Sequence, residues 1–475
     1  MFAFEFRSNE LELNRGIYYL IGILFVSGSC TNTTTTPVVH IEGERVSKLL
    51  KNVSIFNGED SILQMGMDVL IVNGEIERIA GNIENHRATE LIDGTGKTLM
   101  PGLIDAHVHL SGSGAVPWEN VPADLNYNLS AYLYVGVTTV YDLGGLAKSI
   151  GNLAEKVAQG EIAGPRIFNT HIPITVKNSH PIPLTQQMLP WPLKSMVNSI
   201  SPTIYEVEEA PALIEKYVGH NIDYVKIICD QIPPGSPQMN FHQLKALIDE
   251  AHAHGKKVFV HIGSPRNALM AIRAGADVLA HGIWRGELST TQADSIAAAQ
   301  IPIVYTLAGF TNVSCIHHGN FEPVKLDSSL IPDNVLSPVT GVNGKDVHHQ
   351  AVMNEFFKDV SEHEEYWAEN FKLLKSRGVR ILVGTDSNLP GTYAGATYMQ
   401  ELFLLKEYGM SNYEVLKAAT YLNSKIFLEN PGFGKVEEGM SADILLLNGN
   451  PLENLEVLKA PEMIMARGQV VKRVE

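Results

Sequence analysis

Six side chains have the types and positions to do chemistry together: His107 and His109 in a His-Val-His triplet, Lys226, His261, His281 and Asp386. Each follows or ends an apolar, β-rich run: Leu-Met-Pro-Gly-Leu-Ile-Asp-Ala before His107, Tyr-Val before Lys226, Lys-Val-Phe-Val before His261, Asp-Val-Leu-Ala before His281 and Ile-Leu-Val-Gly-Thr before Asp386. Residues two apart on a strand share a face, so His107 and His109 can address one ion. Imidazoles with a carboxylate suit a borderline divalent cation such as zinc. An ordinary lysine is a poor ligand, because an ammonium has no lone pair, so Lys226 on an apolar strand needs an anionic form or an anionic partner.

Positioning six residues from five runs at one point requires strands whose ends converge. Each run is followed by a helix-like stretch, and strands alternating with helices predict repeated βα units and a parallel barrel, whose strands place chemistry at their carboxyl ends. Helical periodicity is expected over residues 241–255, 266–275, 365–378 and 414–429, with Gly255 and Gly275 at C-caps. Residues 309–349, polar and rich in Pro, Gly, Asn and His, read as a long loop near the mouth. From about residue 38 to 97, short alternating segments are separated by Asn73-Gly74 and Asp93-Gly94, which read as hairpin turns. The same texture returns after residue 434. The expectation is an α/β chain: a TIM-like (β/α)8 barrel over 100–433, with a small β-sandwich built from 38–99 and 434–475.

Composition bounds the rest. With 475 residues and 45% hydrophobic content the chain can bury a large core, and 36 basic against 52 acidic residues give a net charge of −16, which disfavours nucleic acid as a partner. Cys30, Cys229 and Cys315 cannot form a disulfide framework, and Cys229 lies in an apolar run as a small core residue. Residues 1–37 read as a targeting segment and tether. Arg15 precedes an apolar run, residues 17–26, too short to span a bilayer, and Ser27-Gly28-Ser29-Cys30 resembles a bacterial lipoprotein box. Ser27 stands where Leu is usual, and the alternative is ordinary cleavage with Cys30 incidental. Either route exports the body, to a periplasmic or cell-envelope location, with membrane contact only through a lipid anchor at Cys30.

Taken with Gly136-Val-Thr-Thr-Val140, Tyr224-Val-Lys-Ile227, Val278-Leu-Ala-His-Gly282, Gly384-Thr-Asp-Ser387 and Gly439-Met-Ser-Ala-Asp-Ile444, the six residues make the chain resemble the amidohydrolase superfamily, most closely its imidazolonepropionase-like metal-dependent branch. The resemblance covers nearly everything after residue 40. It implies two divalent ions: His107, His109 and Asp386 on one, His261 and His281 on the other, and Lys226, carboxylated by carbon dioxide, bridging both. It also implies hydrolysis of an amide-type C–N bond by a metal-bridging hydroxide with Asp386 as proton shuttle, in a dipeptide, an N-acyl amino acid or a cyclic amide. His180, in Asn178-Ser-His-Pro181, falls where relatives place a histidine on the substrate carbonyl. The chain departs from relatives at Tyr141-Asp142, where Arg usually precedes the aspartate, and at Met399-Gln-Glu-Leu402, where His-Arg-Glu-Leu is frequent.

Other residues carry blander expectations. His252 and His254 read as a solvated helix face, and His317, His318, His348 and His349 as surface loop residues. His171 and Tyr305 are left open between the mouth and the core. A lactonase or esterase on the same site, and a non-catalytic exported binding protein, are the alternatives, the latter opposed by the retention of all six residues. A homo-oligomer is compatible with the sequence.

Overall fold

The computed structural model describes residues 38–474 except 43–45, 86–87, 117–120, 189–192, 324–329, 341–350 and 388. The expected signal segment with Cys30, and His348 and His349, lie outside the described residues.

The N-terminal strands are β1 (Val39–Glu42), β2 (Lys48–Ile55), β3 (Gln64–Val72), β4 (Glu75–Ala80), β5 (Glu90–Asp93) and β6 (Thr98–Pro101). The middle contributes β7 (Leu103–Val108), β8 (Val137–Asp142), β9 (Arg166–Asn169), β10 (Val225–Ile228), β11 (Val258–His261), β12 (Val278–Ala280), β13 (Ile303–Val304) and β14 (Ile381–Leu382). The C-terminal strands are β15 (Ile444–Leu447), β16 (Met463–Ala466) and β17 (Gln469–Arg473).

Both ends of the chain build one nine-stranded sheet, ordered β1-β17-β16-β15-β6-β2-β3-β4, with β5 also on β2. Asn73 and Gly74 both take positive φ, 54° and 87°, the two left-handed residues that a tight β3–β4 hairpin requires. Asp93-Gly94 is not a hairpin turn. Strands β5 and β6 both run parallel to β2 rather than pairing with each other. Asp93 accepts the Thr95 amide at 3.0 Å and Gly94 donates to the Lys51 carbonyl, so the chain steps sideways instead of reversing.

The middle strands form two all-parallel ladders, β7-β8-β9 and β10-β11-β12-β13-β14. Regular pairing does not run round a complete ring; single bridges join the ladders, Ile174 to Ile227 on one side and Val108 to Ser387 on the other. Ile104, Tyr141, Phe259, Val278, Val304 and Leu382, one from each of six strands, form one buried cluster between them. The helices that follow the strands are bounded as their sequence signals require. Phe241–Ala253 and Pro265–Ala274 start at capping boxes on Asn240 and Ser264, and Gly255 and Gly275 lie beyond their ends at φ 69° and 102°.

Two helical expectations are corrected. Within the stretch read as a loop, Leu307–His318 is a helix, with Leu307, Phe310, Val313 and Ile316 buried, and Asp333–Thr340 is another. The average polarity of 309–349 hid a mostly buried helix whose N-terminus is held by a residue far along the chain. The 414–429 helix is instead Asn412–Lys417 followed by a π-helical turn, Ala418–Leu422. Just past that turn, Asn423 donates to the Ile104 and Val383 carbonyls, at 2.7 Å each, and pins the segment under β7 and the β14 strand end. Among the described residues no helix is long and apolar enough to cross a membrane.

Candidate active site

All six sequence-chosen residues arrive at one end of the ladders. His107 is the penultimate residue of β7 and His109 follows it; Lys226 is the second residue of β10; His261 ends β11; His281 follows β12; and Asp386 lies four residues beyond β14. The glycines of the motifs are demanded by close approach. A Cβ on Gly384 would lie 2.9 Å from the backbone nitrogen of His107, and one on Gly282 would lie 2.2 Å from the Tyr305 ring. His281, Thr306 and Asp386 adopt φ of 74°, 54° and 56°, a conformation uncommon for side-chain-bearing residues and concentrated here at the site.

The site divides into two halves. In the first, Asp386 Oδ1 lies 3.1 Å from His107 Nε2 and 3.0 Å from His109 Nε2. His109 Nδ1 lies 3.2 Å from the Gly144 carbonyl, which can only accept, so Nδ1 carries a proton and Nε2 of the neutral ring turns a lone pair toward a carboxylate oxygen. A second proton or a cation must sit between them. Burial works against the charged form of His109, but contact with Asp386 outweighs it and raises the imidazole above its ordinary value. For Asp386, burial is outweighed by the His107 and His281 rings and the hydrogen bonds, which hold its carboxyl well below the usual range.

In the second half, His281 Nε2 and His261 Nδ1 face each other at 3.0 Å, and His281 Nδ1 is held by Thr306 Oγ1 at 2.9 Å. Burial disfavours the charged form of both rings, pushing His281 well below its ordinary value and His107 down to about 3. Lys226 is 1% exposed, and among the described residues its Nζ has no hydrogen-bond partner. Burial lowers its pKa to about 7. An unpaired buried ammonium is costly, by several kcal/mol, so this position calls for a neutral amine or an anionic derivative.

These atoms fit a cation. Ligand atoms of His107, His109 and Asp386 all lie within 4.8 Å of one another. His107 Nε2, Lys226 Nζ and Asp386 Oδ1 are buried without a hydrogen-bond partner among the described residues. His180 joins them: its half-buried ring lies 5.0 Å from that of His261, and its buried Nδ1 has no hydrogen-bond partner among the described residues.

Several supporting residues were given no role by sequence reasoning, although Asp105, Asp142 and Glu401 lie in stretches it quoted. Asp105 accepts from the His107 amide at 3.1 Å and from the Thr385 hydroxyl at 2.7 Å, locking β7 to the Asp386 segment. Asp142, noted only as a departure from relatives, accepts the Leu110 amide at 2.8 Å and the Gly144 amide at 3.1 Å, shaping the loop that holds His109. Glu401 accepts the Leu307 and Ala308 amides at 3.0 and 2.7 Å, capping the helix that begins beside Thr306; burial raises its pKa to about 8. Asp230, four residues after Lys226, lies 3.6 Å from His261 Nε2 and 2.6 Å from Arg285. The i+4 alternation from Lys226 was the one available signal for Asp230.

The remaining sequence candidates fall elsewhere. His171 packs on Tyr217 and His220 and accepts the Ala147 amide. Tyr305 packs against Phe371 in the core. His252 pairs with Asp277 on the solvated helix face, and His317 and His318 are exposed at a helix end, not in a loop. Cys229 is fully buried, and burial pushes its thiol up to about 12.

Known proteins resemble this chain in sequence and fold. An ochratoxinase from Aspergillus niger is 22% identical over 400 residues, spanning 77% of this chain and 73% of that enzyme. Among solved structures, a Xaa-Pro dipeptidase with methionine in its active site superposes with a TM-score of 0.72 at 20% identity, over 90% of this chain and 100% of that one. A putative prolidase from Bifidobacterium longum does so with a TM-score of 0.67 at 26% identity, over 91% and 96%. These likenesses make the two parallel ladders part of a mixed α/β fold of TIM-barrel type. The model of the amidohydrolase family matches residues 98–471, most of the described chain and every residue of the site. The chain belongs to the amidohydrolase family.

Proposed function

We propose that this protein is a metal-dependent hydrolase of an amide-type C–N bond in a small molecule: a dipeptide, an N-acyl amino acid or a cyclic amide. One observation carries the reading: a buried Lys226 amine, without a hydrogen-bond partner among the described residues, stands close to four imidazoles and an ionised Asp386. Membership of the family, and likeness to an ochratoxinase and to prolidases, support the same bond class.

His107, His109 and Asp386 would hold one divalent ion, His261 and His281 the second, zinc being the best match to these donors. When bound, such ions supply Lewis acidity, lowering the pKa of a water and polarising the scissile carbonyl. A neutral Lys226 amine adds to carbon dioxide by forming an N–C bond and releasing one proton, and the resulting carbamate has two oxygens to offer two cations. Asp386 would be the proton carrier: with Oδ1 at the His-Val-His pair, its Oδ2, 3.8 Å from His281 Nδ1, would accept the water's proton and return it to the departing nitrogen. His180, beside His261, is placed to donate to the substrate carbonyl. In this reading residues 100–433 are the catalytic barrel, and 38–99 with 434–475 are a β-sandwich formed by the nine-stranded sheet closing on its inner cluster around Val53, Ile71 and Ile444.

Zinc-loaded protein screened against dipeptides, N-acyl amino acids, cyclic amides, lactones and esters is the test. Turnover of an amide class at least as fast as of any ester or lactone supports the reading; turnover of lactones alone would move the assignment to C–O bonds. Residues 1–37 are read as an export segment with lipid attached at Cys30, two or more acyl chains giving stable anchoring. Fatty-acid labelling that persists in Cys30→Ala would refute the anchor without touching the chemistry.

A further inference from the structure

Behind His261 lies a charged chain of contacts that the two-ion reading does not use. Asp230 is 1% exposed. Its Oδ1 accepts from Arg285 Nη1 at 2.6 Å and from the Gln231 amide at 2.8 Å. Its Oδ2 has no hydrogen-bond partner among the described residues, and neither does the buried His261 Nε2 that lies 3.6 Å away. A donor and an acceptor, each otherwise unsatisfied, therefore face each other, one small adjustment from a hydrogen bond. Space for that carboxylate is reserved in the sequence: a Cβ on Gly263 would lie 2.2 Å from Asp230 Oδ2.

Arg285 does not end the chain. Its Nη2 donates to Asp359 Oδ2 at 2.6 Å and to the Gln231 carbonyl at 2.9 Å, and its guanidinium lies 4.2 Å from the Trp284 ring centre. Asp359 belongs to the Ala351–Ser361 helix, part of the segment inserted between β13 and β14. The path from inserted helix to site is thus Asp359, Arg285, Asp230, His261.

We propose that Asp230 is a positioning residue that holds His261 with Nε2 protonated and Nδ1 aimed into the site, and that Arg285 and Asp359 tie this orientation to the inserted helix. The inference rests on the metal reading above. A carboxylate behind a metal-binding imidazole fixes its tautomer and raises its basicity, and losing such a partner weakens metal binding by about 10- to 100-fold. The inserted helix thereby contributes to metal retention through Asp359 without reaching the ions.

The test is zinc titration of chelator-stripped full-length protein against a chromophoric competitor. In Asp230→Asn, one of the two binding steps should weaken by about 10- to 100-fold, with the other unchanged. Asp359→Asn should weaken the same step by less, since Arg285 keeps Asp230. If Asp230→Asn fails to fold, Arg285→Lys, which keeps the charge but not the planar fork that joins both carboxylates, should show the same selective weakening. Both steps retained within twofold in these variants, or both weakened equally, would overturn the inference. Wild-type protein with no zinc-binding step would overturn the metal reading, and this inference with it.

Discussion

The two halves of the site solve the same electrostatic problem differently. Around His107 and His109, the chain supplies its own negative charge: Asp386 stands within 3.1 Å of both Nε2 atoms. Around His261 and His281 the carboxylates stand farther off: Asp386 Oδ2 lies 3.8 Å from His281 Nδ1, and Asp230, 3.6 Å from His261 Nε2, is already engaged by Arg285, while the buried neighbour Lys226 carries an amine. The first half holds its carboxylate within the histidine pair, whereas in the proposed reading the second gains its anion by carboxylation of Lys226. Among the described residues, His107, His109 and Asp386 of the first half form a compact group of candidate ligand atoms.

The largest expected effect breaks the first half. Asp386→Asn keeps the shape and one ligating oxygen but removes the proton acceptor, so turnover should fall by about a hundredfold to ten-thousandfold while metal content changes little. Near-normal turnover would move the proton carrier elsewhere, with His180 next in position. The second half is broken by Lys226→Ala, which should release metal and lose activity, part of which returns with acetate or propionate filling the vacated bridge. Arginine at 226 stays cationic and should not rescue. Equal behaviour of Lys226→Arg and wild type would erase the contrast between the halves.

Smaller effects sharpen it. Thr306→Ala removes the partner of His281 Nδ1 and should weaken zinc binding by about 10- to 100-fold, with Thr306→Ser restoring it. Glu401 should leave chemistry alone and act on stability. Its folded pKa is raised from 4.5 to about 8 by burial, so the folded state favours the protonated form. Its contribution is intact below about pH 4.5 and is lost as pH rises toward 8. Glu401→Gln should flatten that decline in denaturant titrations across pH 5–8; an unchanged slope would show that the carboxyl titrates normally.

The ligand candidates were legible because strand ends announce themselves: an apolar run, then a histidine or aspartate, then a glycine that lets backbones approach. The sheet built from both termini was legible from alternation and from Asn73-Gly74. Asp93-Gly94 misled because the dipeptide specifies a turn but not which strands flank it; both neighbours found β2 first. The Leu307–His318 helix was missed because its N-terminus is capped by Glu401, 93 to 94 residues away. Arg285 and Asp359 were invisible for the same reason, and Asp230 had only its spacing from Lys226 to mark it: an ion pair between segments 55 to 74 residues apart leaves no local pattern. Local spacing encodes what strands present, whereas long-range charge pairing encodes what holds it still.

The central claim is that these residues form a two-ion hydrolytic site, and metal counting coupled to chelation tests it most directly. Purified protein should contain close to two divalent ions per chain, lose amide hydrolysis when stripped, and regain it when zinc is returned. Protein that holds no metal and hydrolyses amides equally well after chelation would contradict the account.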